Sequence, residues 1–205
     1  MTVILAVCTG NICRSPMAEG FLRSMLAERG VDDVLIASCG VSGWEGAPPT
    51  PEGIQAMIEN GVDTSAHRGR RLEPSMVRDA DLVLAMASEH RDVVVSLVPD
   101  AIDRTFTLKE LVRLLDHLPV NQAGLRGGGA EPLASAVAAA AELRRRGAVP
   151  QSRDEDVADP LGLGVEAYRA TAWEIEQLCR NVVTAIFDAG VSETGEGARR
   201  EGGAS

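Results

Sequence analysis

The hydrophobic pattern along the chain alternates between short apolar runs and longer segments with helical spacing. The apolar runs predict strands at residues 3–7, 34–38, 81–86 and 104–106. The helical spacing predicts helices at residues 16–29, 52–60, 107–116 and from Ser88 onward. Because helices separate the strands, the strands are expected to be parallel. The pattern therefore predicts an α/β fold: a doubly wound open sheet of about four parallel strands with helices on both faces.

Residues 119–158 interrupt this alternation of strand and helix. A glycine-rich stretch comes first, an alanine-rich segment at 132–146 is predicted to be an inserted helix, and a polar, acidic stretch follows. Two explanations remain open: a tolerated surface excursion, or an insertion that serves as a lid or a partner surface. A last helix is predicted at 164–188, and the small, polar residues 190–205 predict a disordered tail. A single domain is therefore expected over residues 1–189.

The first predicted strand runs into a stretch with distinctive chemistry, Cys8-Thr9-Gly10-Asn11-Ile12-Cys13-Arg14-Ser15-Pro16. Five residues separate Cys8 from Arg14, and Pro16 suits the first turn of the helix that follows. A loop at a helix N-terminus can turn its amide groups toward an anion, and the helix adds a partial positive charge. The spacing therefore predicts a phosphate cradle with a thiol at its base.

The predicted cradle gives Cys8 and Arg14 complementary roles. A cysteine beside a helix N-terminus and a cation is stabilised as the thiolate, which is the nucleophilic form. The planar guanidinium of Arg14 can bind two phosphoryl oxygens and hold them more strongly as charge spreads in the transition state. Gly10 permits backbone conformations closed to other residues, and the Asn11 side chain can brace the loop. The alternative is an inert buried cysteine beside a surface arginine.

The stretch from Val7 to Glu19 resembles the signature of the low-molecular-weight protein-tyrosine phosphatases. Members of this family form a cysteinyl-phosphate intermediate and need an Asp-Pro pair late in the chain, which this sequence has as Asp159-Pro160. The resemblance implies that Cys8 is the nucleophile, Arg14 binds the phosphoryl group and Asp159 is the general acid and base. It also implies the flavodoxin-like form of the predicted fold.

The same resemblance assigns roles to further positions in the chain. The residues implied to bind substrate are Thr9, Gly10, Asn11, Ile12, Cys13, Ser15 and Trp44. A supporting hydrogen-bond network is implied for Ser38 and His67, together with Asn11 and Ser15. Because Cys13 lies in the same loop as Cys8, peroxide can drive a reversible disulfide between them; a simple buried cysteine is the alternative. Neither a cofactor nor a metal site is expected.

The chain also departs from the family pattern at three places. Leu161-Gly162 follows Asp159-Pro160 where the family often has aromatic residues. Ala87 stands where the family usually has aspartate after the third strand, and the loop after Trp44 lacks the family's common pattern. These departures leave the cradle intact and concern the substrate pocket. Ile12 resembles the tyrosine phosphatases, whereas the arginine-phosphate branch of the family carries threonine there.

Composition and charge narrow the classes of function. A net charge of −10 argues against nucleic acid and against an anionic membrane as partners. No stretch is long and apolar enough to span a bilayer, and residues 3–7 are too few for a signal sequence, so a cytoplasmic location is expected. The four cysteines show neither the spacing of a secreted disulfide framework nor that of a zinc site.

The leading hypothesis is a metal-free phosphomonoester hydrolase, a protein-tyrosine phosphatase whose partner is a phosphotyrosine protein. An arsenate reductase of the same fold is disfavoured, because no cysteine lies between Cys39 and Cys179 to act as a resolving pair. A phosphate-binding regulatory module without turnover is the non-enzymatic alternative, and such a module does not require Asp159. A protein-arginine phosphatase of the same fold is the remaining alternative.

Overall fold

The computed structural model of the protein describes residues 1–118 and 130–188. The predicted disordered tail at 190–205 and most of the glycine-rich stretch lie outside the described residues. Within the described ranges the strands are β1 (Thr2–Cys8), β2 (Val34–Gly40), β3 (Leu82–Ala85) and β4 (Thr105–Thr107). They form a parallel sheet in the spatial order β2-β1-β3-β4. The predicted four-stranded α/β sheet is therefore confirmed.

The helices correspond to the predicted ones within a few residues, with one addition. In the described part of the chain they are α1 (Arg14–Glu28), α2 (Pro51–Glu59), α3 (Pro74–Asp79), α4 (Ser88–Leu97), α5 (Leu108–Leu115), α6 (Ala130–Arg145) and α7 (Val165–Val183). A 3-10 turn at Pro99–Arg104 and a π-helical turn at Thr184–Asp188 complete the secondary structure. The hydrophobic pattern does not predict α3 or the 3-10 turn, because each buries a single residue, Val77 or Ala101. No helix within the described ranges is long and apolar enough to cross a membrane.

β1 is a central strand, and its side chains alternate between the two faces of the sheet. Ile4, Ala6 and Cys8 belong to the core that α1, α2, α5, α6 and α7 cover on one face. Leu5 and Val7 belong to the core on the other face, which α3 and α4 cover. Burial on both faces explains why the sequence of β1 is an unbroken apolar run.

The strand order reverses beside β1, because β2 lies on one side of this strand and β3 on the other. In doubly wound sheets such a reversal opens a crevice at the carboxyl ends of the strands. Cys8, the last residue of β1, lies at that crevice. Gly40, the last residue of β2, lies close to the loop that follows β1. A Cβ at this position would lie 2.5 Å from the Thr9 carbonyl oxygen. Any side chain at this position would therefore push the loop out of place.

Helix α6 packs into the core and returns the chain to the crevice. Its buried residues are Leu133, Ala136, Val137, Ala140 and Ala141. Near its end the Arg144 guanidinium lies 4.3 Å from the centroid of the Phe106 ring. Beyond α6 the chain reaches the sheet again, where the Val157 N–H donates to the Met86 carbonyl oxygen at 2.8 Å. The helical part of the segment 119–158 is thus joined to the core, and the residues after it lead to Asp159.

Candidate active site

The loop between β1 and α1 wraps around the sulfur of Cys8. The Asn11 backbone N–H donates to Cys8 Sγ at 3.3 Å, and Ser15 Oγ lies 3.0 Å from the same sulfur. Asn11 has a φ of 57°, the one positive φ at a non-glycine residue within the described ranges. Asparagine tolerates this left-handed conformation better than most residues, and the conformation turns the backbone N–H inward. Together with the N-terminus of α1, these donors stabilise a thiolate at Cys8.

The side chain of Asn11 fixes the loop from beneath. Its Nδ2 donates to Ser15 Oγ at 2.9 Å and to Ser38 Oγ at 2.8 Å. Both hydroxyl oxygens therefore act as acceptors toward Asn11, and each keeps its own hydrogen for another partner. Ser38 donates that hydrogen to Glu19 Oε2 at 2.5 Å, and Ser15 has it available for Cys8. The amide thus sets the direction of both hydroxyl groups.

The Ser15 hydroxyl has two acceptors within reach. Besides the Cys8 sulfur, the Cys39 carbonyl oxygen lies 3.3 Å from Ser15 Oγ. When Cys8 is a thiolate, the hydroxyl can donate to the charged sulfur, which is the stronger acceptor. When Cys8 is a thiol, its own hydrogen can go to Ser15 Oγ while the hydroxyl turns to the carbonyl. Either protonation state of Cys8 therefore finds its hydrogen bonds satisfied.

Two residues from the segment between α2 and α3 complete the support of the loop. His67 Nε2 lies 3.0 Å from the Asn11 carbonyl oxygen, which can only accept, so Nε2 carries the proton. Burial lowers the pKa of His67 and keeps the imidazole neutral. The Arg70 backbone N–H donates to Asn11 Oδ1 at 2.8 Å. The structure therefore brings Ser38 and His67 into contact with the Cys8 loop, as the resemblance implied.

Arg14 lies buried between the loop and the segment that leads to Asp159. Its Nη1 donates to the Val157 carbonyl oxygen at 3.1 Å. Its Nη2 donates to Thr9 Oγ1 at 3.2 Å and to Asp159 Oδ2 at 2.6 Å. The Nε atom is buried and has no partner among the described residues. The guanidinium is thus held from two sides while keeping a donor that an oxyanion can use.

Asp159 comes late in the chain and borders the same site as the loop between β1 and α1. One oxygen of its carboxylate pairs with Arg14, and the other accepts from the Leu161 N–H at 3.1 Å. Its side chain is 43% exposed, whereas that of Arg14 is 5% exposed. A cavity of about 60 Å³ is lined by Cys8, Thr9, Gly10, Ile12, Cys13, Arg14, Trp44, Asp159 and Leu161. The structure therefore brings the predicted nucleophile, cation and acid to one cavity.

The rim of this cavity is apolar and open. Trp44 is 52% exposed and Leu161 is 45% exposed, while Ile12 is buried. The Trp44 backbone N–H donates to the Gly10 carbonyl oxygen at 3.0 Å, which fixes the indole beside the loop. Leu161 supplies apolar surface where the family often has an aromatic residue. A flat aromatic group can pack against such a rim while a charged group reaches the loop.

Three of the four cysteines have raised pKa values. Burial raises the pKa of Cys13 and of Cys179, and it raises the pKa of Cys39 to about 12. All four cysteines are free thiols in the structure. The three with raised pKa values are held in the protonated form, which is a poor nucleophile. The Cys8–Cys13 disulfide stays a prediction.

Sequence reasoning missed a histidine at the edge of the site. His90 lies in the first turn of α4, fully buried, with its Nε2 2.9 Å from Thr9 Oγ1. It follows β3 closely, and residues just beyond the carboxyl end of a central strand face the crevice in this type of fold. That position is the signal that could have identified it. Val157 and Glu19 were likewise given no role, because one acts through its carbonyl and the other through Ser38.

Comparisons with known proteins agree with this geometry. A family model described as low molecular weight phosphotyrosine protein phosphatase matches residues 3–123. A protein-arginine-phosphatase from Geobacillus stearothermophilus is 33% identical over 175 residues, which cover 85% of this chain and 89% of the relative. A low molecular weight protein-tyrosine-phosphatase from Escherichia coli (strain K12) is 40% identical over 102 residues, which cover 50% of this chain and 66% of the relative. The solved structure of a low molecular weight protein tyrosine phosphatase from T. tengcongensis superposes with a TM-score of 0.65 at 33% identity, covering 89% of this chain and 98% of that one.

Proposed function

This chain belongs to the low molecular weight phosphotyrosine protein phosphatase family, and we propose that it hydrolyses phosphotyrosine in proteins through a cysteinyl-phosphate on Cys8. The observation that carries the proposal is a single cavity lined by a hydrogen-bonded sulfur, a buried arginine and a carboxylate. Phosphate binding alone needs the loop and Arg14. The carboxylate of Asp159 adds a proton-transfer group, which only turnover requires.

In the first half-reaction the Cys8 thiolate attacks phosphorus in line with the leaving oxygen. The S–P bond forms as the P–O bond to the tyrosine breaks, and protonated Asp159 gives its proton to that oxygen. Arg14 and the inward N–H of Asn11 meet the charge on the equatorial oxygens. The products of this step are free tyrosine hydroxyl, cysteinyl-phosphate and the Asp159 carboxylate.

In the second half-reaction water attacks the cysteinyl-phosphate. The Asp159 carboxylate takes a proton from the water as its oxygen bonds to phosphorus, and the S–P bond breaks. Inorganic phosphate leaves and Cys8 returns to the thiolate, which Ser15 and Asn11 hold by hydrogen bonds. Because Arg14 and the loop supply the charge stabilisation, we expect turnover to persist in the presence of a chelator.

The ion pair between Arg14 and Asp159 links substrate binding to the proton transfer. The Arg14 Nη2 atom already donates to Asp159 Oδ2 and Thr9 Oγ1 in the free site. A phosphoryl dianion needs the hydrogen that now goes to Asp159, and it competes for that hydrogen with a full second charge. Substrate binding is therefore expected to release the carboxylate from Arg14 and leave it free to carry the proton for the leaving oxygen.

Two features of the site concern the substrate. The apolar rim of Trp44 and Leu161 over a shallow cavity suits the ring of phosphotyrosine. Ile12 lines the same cavity, and threonine at that position resembles the arginine-phosphate branch. Protein phosphoarginine is the second candidate substrate, because the relative named a protein-arginine-phosphatase aligns with most of both chains.

The two substrates can be separated with matched phosphopeptides. We expect kcat/KM to be highest for a phosphotyrosine peptide, lower for the same peptide with phosphoarginine and lowest with phosphoserine. The Ile12→Thr variant is expected to shift the ratio toward phosphoarginine, since it exchanges an apolar contact for a hydroxyl in the cavity. A wild type that prefers phosphoarginine would make that the function. A folded wild type that binds vanadate and turns over none of these peptides would favour the regulatory module.

The chemistry of the nucleophile also favours a cytoplasmic location. A thiolate at Cys8 with a second cysteine, Cys13, in the same loop needs a reducing compartment to remain free. We propose phosphorylated cytoplasmic proteins as partners on this ground. The measurement is the distribution of activity between cytoplasmic and membrane fractions, with activity in the cytoplasmic fraction as the expected result.

A further inference from the structure

A buried histidine joins α4 to the loop that carries Cys8. The His90 side chain is 0% exposed, and its Nε2 lies 2.9 Å from Thr9 Oγ1. Its Nδ1 is buried and has no partner among the described residues. A buried polar ring with one unpaired nitrogen lowers the stability of the core, so the one hydrogen bond that the ring makes, to Thr9, needs an explanation. The proton transfers proposed above do not use this ring.

Thr9 is the link between His90 and the charged part of the site. Thr9 Oγ1 accepts from Arg14 Nη2 at 3.2 Å, because a guanidinium can only donate. The same Nη2 donates to Asp159, so a hydrogen-bonded path runs from His90 through Thr9 to the proposed acid. The Thr9 hydroxyl has one remaining acceptor position and one hydrogen. Which of these faces His90 depends on whether Nε2 of the ring donates or accepts.

The tautomer of His90 follows from the oxygens around Nε2. Thr9 Oγ1 lies at 2.9 Å, and Oε1 of the Glu89 carboxylate lies at 3.4 Å. A carboxylate can only accept, and its negative charge favours a hydrogen on the nitrogen that faces it, so the proton belongs on Nε2. Nδ1 is then a bare lone pair, and the buried nitrogen without a partner is an acceptor and carries no hydrogen. In this tautomer Nε2 donates to Thr9.

We infer that His90 is a positioning residue that donates to Thr9, fills the second acceptor site of its hydroxyl and leaves the Thr9 hydrogen for a phosphoryl oxygen. With both acceptor sites occupied, by Arg14 and His90, the hydroxyl can no longer turn away from the cavity that it lines. The same contact fixes the oxygen on which Arg14 rests. The inference rests on the proposed function, because it assigns a role within that reaction.

The electrostatics of the ring fit this role. Burial, and then the charge of Arg14, lowers the pKa of His90 to about 4. The imidazole is therefore neutral over the pH range in which such an enzyme works, and it supplies a donor without placing a second cation beside Arg14. A lysine or arginine in its place would compete with Arg14 for the phosphoryl group and for Asp159.

The first test compares His90→Leu with His90→Gln, using p-nitrophenyl phosphate as substrate and vanadate as inhibitor. Leucine fills the space without a donor, whereas the glutamine amide keeps a donor near the position of Nε2. We expect His90→Leu to lower kcat and weaken vanadate binding by roughly fivefold to tenfold with little change in KM, which corresponds to one lost hydrogen bond. His90→Gln is expected to recover most of both. A kcat unchanged in folded His90→Leu, or a folded His90→Gln as impaired as leucine, would overturn the inference.

The second test asks whether His90 acts through Thr9. In a Thr9→Val background the hydroxyl is gone, so His90→Leu should cause no further loss of kcat. Losses that multiply in the double variant would show that His90 acts by another route. His117→Gln is the matched control, since His117 is exposed and lies outside the cavity, and it should leave kcat and vanadate affinity unchanged.

A third measurement reads the tautomer of His90 in the unsubstituted protein. The ¹⁵N chemical shifts of the three imidazole rings distinguish the tautomers in the native protein, with His67→Gln and His117→Gln used to assign the signals. We expect His90 to carry its proton on Nε2, and a proton on Nδ1 would overturn the inference even where the variants fail to fold. A wild type without turnover would overturn the proposed function alone, because vanadate affinity and the imidazole shifts would still test the His90 contact.

Discussion

The two sides of the site differ in how firmly the protein holds them. On the sulfur side, Asn11, Ser15 and Ser38 are all 0% exposed and bonded to one another. The Asn11 side chain alone contacts two hydroxyl groups and one backbone N–H. A buried polar network with every member paired is rigid, because breaking any bond leaves an unsatisfied group in the core.

On the acid side the same cavity is bounded by exposed groups. Trp44, Leu161 and Asp159 are each about half exposed, and the Asp159 side chain is held by Arg14 and by the Leu161 N–H. The Trp44 backbone is held by its bond to the Gly10 carbonyl oxygen, and we expect the Arg14 contact of Asp159 to be given up when substrate binds. The groups proposed to bind the phosphoryl group are therefore anchored in the core, whereas the groups proposed to meet the leaving alcohol lie at the surface.

Removing the nucleophile gives the largest effect that this comparison predicts. Cys8→Ser is expected to abolish turnover of p-nitrophenyl phosphate, because an alcohol in this position is far less ionised than a thiol. The fold and vanadate binding should persist, which circular dichroism and a binding titration can check. Cys179→Ala, in the core of α7, is the control and should keep turnover. Residual turnover at a substantial rate in Cys8→Ser would remove Cys8 from the mechanism.

Asp159→Asn tests the exposed side of the comparison. Loss of the acid and base is expected to lower kcat by roughly 10²–10⁴. The loss should be greater for phenyl phosphate than for p-nitrophenyl phosphate, because the poorer leaving group depends more on protonation. Since Asp159 is exposed, the melting temperature should change little. An equal loss for the two substrates would contradict its role as the acid.

Asn11→Gly tests the buried hydrogen-bond network on the sulfur side of the site. Glycine accepts the φ of 57°, so this variant removes three side-chain hydrogen bonds without strain, and we expect a loss of about 3 kcal/mol in the free energy of unfolding. Asn11→Ala should be destabilised by roughly 1–2 kcal/mol more, from left-handed strain. Asn60→Ala, which loses one bond at the end of α2, is the control and should lose the least. Urea unfolding measures all three.

The pH dependence of stability tests the buried histidine. Below about pH 6.5 the unfolded chain protonates His90, whereas the native ring, with its pKa of about 4, does not, so stability falls as the pH drops. Between about pH 7.5 and about pH 5 we expect this effect to contribute about 2 kcal/mol. Arg14, Asp159, Asp156 and Glu89 are the charged groups that face the ring.

His90→Gln should remove that contribution and flatten the pH dependence of the urea midpoint relative to the wild type. The two proteins differ only at residue 90, so the difference between their slopes isolates His90. Identical slopes in the two proteins would show that the native ring protonates as readily as the unfolded one.

The smallest expected effect concerns the rim. Trp44→Ala is expected to raise KM for p-nitrophenyl phosphate a few-fold, about 1 kcal/mol, through loss of an aromatic contact, with kcat nearly unchanged. Trp173→Ala is the matched control, since Trp173 is 64% exposed and does not line the cavity over Cys8. A fall in kcat equal to the rise in KM would mean that Trp44 positions the loop as well as the substrate.

The elements that could be predicted from the sequence are those with a strong hydrophobic period. β1 and α1 follow from an apolar run and a helical stripe, and the order of strands and helices implies the parallel sheet. The prediction ended β2 at residue 38, two residues early, because Cys39 and Gly40 extend the strand only by pairing with Val7 and Cys8. That pairing is a tertiary contact, and a local pattern does not contain it.

Some features of the site could likewise be predicted from the sequence, and others could not. Cys8 and Arg14 lie in one short motif, and Asp159 was found through its proline and the family resemblance, so the residues that define the cavity could be named in advance. The contacts of Arg14 with the Val157 carbonyl and of His90 with Thr9 could not, because they depend on where distant segments meet. The position of His90 after β3 places it near the crevice, but neither its contact with Thr9 nor the role of the Val157 carbonyl leaves a pattern in the sequence.

The covalent intermediate is the most direct test of the proposed chemistry. Asp159→Asn mixed with p-nitrophenyl phosphate should accumulate it, because the good leaving group departs without the acid while hydrolysis lacks its base. The reaction would be stopped in denaturant near neutral pH and the protein digested for peptide mass mapping. We expect one phosphoryl group on the peptide that contains Cys8. A phosphoryl group on another residue, or none while p-nitrophenol is still released, would contradict the proposed chemistry.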